Sequence, residues 1–148
     1  NPKIKLHMIG KLQTNKVKFA VKLFDYIHSV DSKKLAKKIA DEQNKINKNI
    51  KIFLQVNIGD ENQKSGINKN DLKQLVSYCK EINLDLIGLM CIPPANTNPD
   101  FYFDEMKDLN KAFGLGELSM GMSSDFLIAA KHQSTFIRVG SSIFGQRS

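Results

Sequence analysis

Ser119–Ser124 reads SMGMSS, and Phe136–Ser141 reads FIRVGS. Each segment closes a hydrophobic, strand-like stretch with a turn that is rich in glycine and serine. Two such turns near one another offer several backbone N–H groups and hydroxyls to a single anion. The last two strand ends of a (β/α)8 barrel commonly bind a phosphate in this way. The pair of turns therefore predicts a barrel that binds a phosphorylated small molecule.

Strand-like and helical patterns alternate along the rest of the chain. The clearest helical pattern is Asp71–Ile82, where apolar residues recur with a helical period. Repeated βα units predict parallel strands with the helices outside. The predicted strands are Lys5–Ile9, Tyr26–Val30, Ile50–Ile58, Leu84–Ile92, Leu118–Met120 and Phe136–Val139. The predicted helices are Asn15–Phe24, Lys33–Ile46, Asp71–Ile82, Phe101–Phe113 and Asp125–His132, with a short turn at 142–145.

This alternation fits either a doubly wound sheet or a barrel, and the two Gly/Ser turns favour the barrel. A closed barrel of this type has eight strands. Six predicted strands therefore indicate an α/β fold that is an incomplete (β/α)8 barrel. No linker or low-complexity segment interrupts the pattern, so we expect a single domain over residues 1–148.

Composition narrows the classes of protein that the chain resembles. Hydrophobic residues make up 41% and charged residues 25% of the sequence, as in ordinary globular proteins. No apolar run is long enough to span a bilayer, and no signal-peptide pattern follows the opening Asn1-Pro2-Lys3. Cys79 and Cys91 stand alone, which predicts two buried thiols rather than a disulfide. These features favour a cytoplasmic protein without a membrane partner.

The net charge of +7 raises the possibility of a nucleic-acid partner. Residues 1–74 carry 16 lysines against 7 acidic residues, and only two of the 22 basic residues in the chain are arginine. Lys33, Lys34, Lys37 and Lys38 share the polar side of one predicted helix. Because arginine and interleaved aromatic residues are missing there, a solvated face is favoured over a nucleic-acid surface. A basic module that binds RNA or acidic proteins remains an alternative.

Other sites have weaker support in the sequence. His7, His28 and His132 lack metal-ligand spacing, which favours structural histidines over a metal site. No P-loop, GxGxxG or GxSxG motif is present. Two bland interpretations of the C-terminal turns also stay open. Arg138 could form an ion pair with Asp125, and Ser123 could cap the helix that follows it.

Seven segments, taken in order, resemble one known family. They are HMIGKLQTNK (7–16), HSVD (28–31), QVNI (55–58), KSG (64–66), GLMCIPP (88–94), LSMGMSSD (118–125) and RVGSSIFG (138–145). The family is that of the pyridoxal phosphate homeostasis proteins, whose fold is similar to the N-terminal barrel of alanine racemase. The resemblance implies a non-catalytic protein that binds pyridoxal 5′-phosphate (PLP) and controls its supply.

The resemblance also implies a set of ligand-binding residues. Ser123 and the backbone of Met122 would face the phosphate, together with Gly140 and Ser141. Arg138 would approach the pyridine nitrogen and keep it unprotonated, which weakens the ring as an electron sink. The remaining candidates, which would form walls of the pocket, are His7, Asn57 and Met90.

One departure from the family concerns covalent attachment of PLP. The family's Schiff-base lysine lies on the first barrel strand, and the segments of the first two βα units have no counterpart in this sequence. No lysine of this chain matches that motif. The alternative is a PLP-dependent, racemase-like enzyme, which would need such a lysine and a second acid or base. Two missing strands also predict exposed strand edges and self-association.

Overall fold

A computed structural model describes residues 3–62 and 65–148, so Lys64 of the KSG segment lies outside the described residues. The strands are β1 (His7–Met8), β2 (Tyr26–Val30), β3 (Lys51–Gln55), β4 (Asp85–Met90) and β5 (Glu117–Ser119). The helices are α1 (Val17–Leu23), α2 (Lys33–Lys45), α3 (Lys69–Glu81), α4 (Asp100–Ala112), α5 (Phe126–Lys131) and α6 (Ser141–Phe144). A 3-10 turn at Thr14–Lys16 leads into α1.

The strands form one parallel sheet in the order β1-β2-β3-β4-β5, so each strand pairs with its neighbours in sequence. In a doubly wound sheet the direction of strand addition reverses at a switch point. The described strands show no such reversal. The prediction of an incomplete barrel is therefore confirmed, and the carboxyl ends of the strands lie at one edge of the sheet.

The segment Phe136–Val139 differs from the sixth strand that the sequence predicts. It pairs with β5 only through a single bridge between Phe136 and Ser119. Side chains of the two preceding residues hydrogen-bond to backbone groups of β5 and of the residue that follows it. Ser134 Oγ donates to Met120 O at 2.6 Å, and Leu118 N donates to Thr135 Oγ1 at 2.7 Å. The segment nevertheless runs beside β5 and brings its arginine to the same end of the sheet.

The main core lies between the outer face of the sheet and the helices. Ile52 and Leu54 of β3 are completely buried there, against Ile39 of α2 and Leu72 of α3. Side chains alternate between the two faces of a strand, so Phe53 of β3 lies on the inner face instead. The inner face is where the candidate site is found.

The lysine-rich face of α2 is partly neutralised within its own helix. Lys37 pairs with Asp41 at 3.2 Å, and Lys38 pairs with the buried Glu42 at 2.9 Å. Such pairs four residues apart stabilise a helix modestly and lower the charge that a partner would meet. This supports the interpretation of a solvated face.

The remaining surface bears on membranes and on self-association. No helix within the described residues is both long and apolar enough to cross a bilayer. At the sheet edge formed by β1, the neighbouring Ile4 and Ile9 are exposed. Exposed apolar groups beside an unpaired edge are consistent with self-association, which stays a prediction.

Candidate functional site

A cleft of about 1010 Å³ lies at the carboxyl ends of β1, β5 and the segment after α5. In parallel sheets, ligands bind at this edge because the loops there converge. Of the eight residues predicted from the sequence, the structure brings six to the lining of this cleft. They are His7, Met122, Ser123, Arg138, Gly140 and Ser141.

The two Gly/Ser turns meet at the hydroxyl of Ser123. Its Oγ accepts from the backbone N–H of Gly140 at 3.1 Å and from that of Ser142 at 3.3 Å. It does not cap α5, whose N-terminal flanking residue is Asp125. Within the described residues the hydroxyl proton of Ser123 has no acceptor, so it is available to a ligand. The Ser123 hydroxyl therefore ties the two turns together, and we refer to this hydroxyl with the adjoining Gly140 and Ser141 as the Ser123 cup.

Met122 reaches the cleft in a different way from the one predicted. Its backbone N–H donates to Asp125 Oδ1 at 2.7 Å and is therefore already engaged. Its side chain, 41% exposed, lines the cleft. The preceding Gly121 has φ +102°, and a Cβ there would lie 2.7 Å from Cβ of Ala129. Glycine thus lets the chain turn tightly between β5 and Ser123.

Arg138 is fixed by the ends of two strands. Its Nη1 donates to Ser119 Oγ at 2.7 Å, and its Nη2 donates to the backbone carbonyl of Cys91 at 2.8 Å. Its Nε is buried without a hydrogen-bond partner. Burial lowers the pKa of the guanidinium, although arginine remains protonated at any ordinary pH. The contacts differ from the ion pair with Asp125 that the sequence left open.

His7 and His28 form a contact that sequence reasoning missed. His7 Nδ1 lies 3.0 Å from His28 Nε2, and His28 Nδ1 lies 2.8 Å from Ser119 Oγ. Both rings stack on aromatic neighbours, His7 on Tyr26 at 4.1 Å and His28 on Phe53 at 4.3 Å between centroids. One feature of the HSVD segment could have indicated this contact: His28 occupies a strand position that faces the barrel interior.

Asn57 and Met90 lie outside the lining of this cleft. The amide of Asn57 closes a turn by donating to Glu61 O at 2.8 Å and accepting from Glu61 N at 3.1 Å. Asn57 lines a smaller, neighbouring cavity of about 210 Å³. Met90 is completely buried within β4. These placements differ from the predicted pocket walls, because one side chain organises its own loop and the other fills the interior.

Burial of His28 predicts a loss of stability in mild acid. Burial, with the charges of His7 and Arg138, lowers the pKa of His28 from 6.5 to about 3. The unfolded chain takes up this proton below about pH 6.5, whereas the folded chain does so only near pH 3. The stabilising contribution is thus complete above pH 6.5 and is lost as the pH falls toward 3. Between pH 7 and pH 5 this one group should cost about 2 kcal/mol of unfolding free energy.

Urea unfolding at pH 7, 6 and 5 measures this effect. The variant His28→Asn should be less stable at pH 7 but should lose less stability on acidification than the unsubstituted chain. Parallel pH dependence in the two proteins would contradict the assignment to His28.

Comparison with known proteins places this chain in a family. A model of the alanine racemase N-terminal domain matches residues 2–148. The pyridoxal phosphate homeostasis protein of Aquifex aeolicus is 39% identical over 151 residues, which cover 95% of this chain and 66% of that protein. Its counterpart in Pasteurella multocida is 34% identical over 158 residues, which cover 99% of this chain and 68% of that protein. The chain belongs to the pyridoxal phosphate homeostasis protein family.

A solved relative confirms the fold of this family member. PipY of Synechococcus elongatus without PLP matches with a TM-score of 0.87 and 34% identity, over 98% of this chain and 73% of that chain. PipY with PLP bound matches with a TM-score of 0.83 and 32% identity, over 97% of this chain and 72% of that chain. The chain spans about two thirds of the length of the homeostasis proteins from Aquifex and Pasteurella.

Proposed function

We propose that this chain binds PLP in the cleft and takes part in the control of intracellular PLP supply without turning over a substrate. The observation that carries the proposal is the convergence of the Ser123 cup and the Arg138 guanidinium in one cleft. PipY, a relative of the same fold, has been solved with PLP bound. A cytoplasmic location is part of the proposal.

The residues present fit the phosphate of PLP. The N–H groups of Gly140 and Ser142 point toward Ser123 Oγ, and Ser141 lines the cleft beside them. A phosphate oxygen near Ser123 would compete with its Oγ for these two N–H groups, and a charged acceptor forms the stronger hydrogen bond. The free hydroxyl proton of Ser123 would add one further hydrogen bond.

The residues present also fit the pyridine ring. Arg138 can only donate, so its guanidinium would hydrogen-bond a neutral ring nitrogen without protonating it. Its buried and unpaired Nε adds a donor without a protein acceptor. Bound PLP supplies an aldehyde and an electron-poor ring, and an unprotonated nitrogen makes that ring a weaker electron sink. This supports binding and storage over amino-acid chemistry.

The lining of the cleft bears on the mode of attachment. None of the described residues that line it is a lysine. We therefore propose contacts of the described residues with the phosphate and the ring nitrogen, and assign none of them to the aldehyde.

The two thiols support the proposed location. Burial raises the pKa of Cys79 to about 11 and that of Cys91 to about 12, so both are protonated at neutral pH. Both cysteines are free. Unpaired, protonated thiols are typical of reducing compartments.

Titration with PLP and with pyridoxal, which lacks the phosphate, tests the proposal. We expect PLP to bind more tightly than pyridoxal, and Ser123→Ala to weaken PLP binding about tenfold because a hydrogen bond to a charged group is lost. Ser77→Ala, on the exposed face of α3, is the matched control and should bind as the unsubstituted chain does. Equal affinity for the two ligands, or no effect of Ser123→Ala, would refute a phosphate cup.

A further inference from the structure

Four polar side chains form a continuous chain of hydrogen bonds across the inner face of the sheet. His7 Nδ1 lies 3.0 Å from His28 Nε2, His28 Nδ1 lies 2.8 Å from Ser119 Oγ, and Arg138 Nη1 lies 2.7 Å from the same oxygen. Ser119 is completely buried and His28 is 2% exposed. We refer to these four residues as the inner relay.

The chemistry of Arg138 determines the direction of the inner relay. A guanidinium has donors and no acceptor, so Ser119 Oγ must accept from Arg138. The one proton of the Ser119 hydroxyl then needs an acceptor, and the other partner of this oxygen in the described part of the chain is His28 Nδ1. Leaving that buried proton unpaired would cost about 1–3 kcal/mol. Ser119 therefore donates to His28.

The same order of donor and acceptor continues from His28 to His7. Because His28 Nδ1 accepts, the neutral ring carries its proton on Nε2 and donates that proton to His7 Nδ1. His7 Nδ1 is then an acceptor, and the proton of the His7 ring is on Nε2. His7 is partly exposed and lines the cleft.

We propose that Arg138 sets the direction of the inner relay, so that His7 meets the ligand as a neutral imidazole with its proton on Nε2. His7 thereby donates to an acceptor oxygen of the ligand, and Ser119 and His28 are positioning residues. The tautomers follow from the protein alone, whereas the contact with the ligand rests on the proposed function.

The surroundings of His7 are consistent with a neutral ring. Protonation of Nδ1 would direct its N–H at the N–H of His28 and would reverse the relay. Tyr26 stacks on one face of the ring, and the Phe136 ring lies 5.8 Å away. Burial lowers the pKa of His7, and this outweighs the nearby Asp25 carboxylate, which acts to raise it.

The relay also indicates what kind of ligand the cleft accepts. Arg138, the Ser123 cup and His7 line the same space, and each has a donor group in this assignment. A ligand that matches them carries acceptor atoms at several positions around a small body. A phosphorylated aromatic aldehyde such as PLP has this character, because its phosphate, ring nitrogen and oxygen substituents are separate acceptors.

Long-range ¹H–¹⁵N NMR of the full chain without ligand measures the tautomers directly. The sequence has three histidines, so single variants assign every ring. At pH 7 we expect both His28 and His7 to be protonated on Nε2. A His28 ring protonated on Nδ1, or a positively charged His7, would overturn the proposal without bearing on PLP binding.

Substitution of Arg138 tests its part in setting the direction. Arg138→Met removes the obligatory donor to Ser119 and frees the carbonyl of Cys91 as another acceptor. We therefore expect a measurable fraction of His28 to become protonated on Nδ1. The matched control is Ser29→Ala, because Ser29 is buried beside His28 on β2 and its hydroxyl has no partner. Unchanged tautomers in Arg138→Met, or equal changes in both variants, would refute the role of Arg138.

The contact between His7 and the ligand has a separate test. His7→Phe retains a ring that can stack on Tyr26 but cannot donate, so PLP affinity should fall about fivefold to tenfold. An unchanged affinity would remove His7 as a donor. If Ser123→Ala loses PLP binding but keeps the tautomers of His7 and His28, the relay stands. The relay and the phosphate cup can therefore fail independently of each other.

Discussion

Replacing Gly88 with alanine should lower the free energy of unfolding by about 3 kcal/mol or more. Gly88 of β4 pairs with Glu117 of β5. An added Cβ would overlap the carbonyl oxygen of Glu117 and would lie 2.6 Å from its carbonyl carbon and 2.9 Å from Phe53 Cε1. The Glu117 atoms belong to the backbone of a paired strand, so they cannot move aside without breaking the β4–β5 ladder.

Chemical denaturation followed by circular dichroism measures this loss. Gly116→Ala is the matched control, because Gly116 precedes Glu117 in the chain and a Cβ there would have no atom within 4 Å. It should change stability by no more than about 0.5 kcal/mol. A similar loss in both variants would show that glycine flexibility, rather than close strand packing, explains the effect.

Arg138→Met should weaken PLP binding by about tenfold to a hundredfold. The substitution removes a donor whose charge-assisted hydrogen bonds are worth about 1.5–3 kcal/mol each. It also leaves the buried Ser119 hydroxyl and the carbonyl of Cys91 without their guanidinium partner. We therefore expect a loss of stability together with the loss of affinity.

A second arginine separates specific binding from general attraction. Arg147→Met makes the same change in net charge, and Arg147 also lines the cleft, but its side chain is exposed. Water and salt screen an exposed charge, so its contribution should be much smaller. Equal losses of PLP affinity in the two variants would indicate that the cleft attracts anions only through its total charge.

The fold was predictable because its signals are local. The apolar run at Ile50–Ile58 indicates a strand covered on both faces, and the helical period of Asp71–Ile82 indicates an amphipathic helix. The structure trims these elements to β3 (Lys51–Gln55) and α3 (Lys69–Glu81). Phe136–Val139 carries the same local signal as a strand, but competition from Ser134 and Thr135 for the backbone of β5 reduces its pairing.

The candidate site was predictable in part. The cup residues Ser123, Gly140 and Ser141 lie in turns whose composition already indicates an anion site. The two predicted residues that fall outside the cleft, Asn57 and Met90, were expected there only from their positions near strand ends. Proximity to a strand end does not determine whether a side chain faces the cleft, its own loop or the interior.

The sequence by itself determined the order of the βα units, the parallel barrel class and the two Gly/Ser turns. These depend on hydrophobic period and turn composition, which act over a few residues. Only the tertiary structure decided that the side chains of His7, His28, Ser119 and Arg138 meet in one hydrogen-bonded network. Three of its members come from the separate strands β1, β2 and β5, and Arg138 comes from the segment after α5. His28 and Ser119 are 91 residues apart. β3 and β4 separate β2 from β5 in the sheet, so this contact crosses the barrel interior, and no local pattern encodes that juxtaposition.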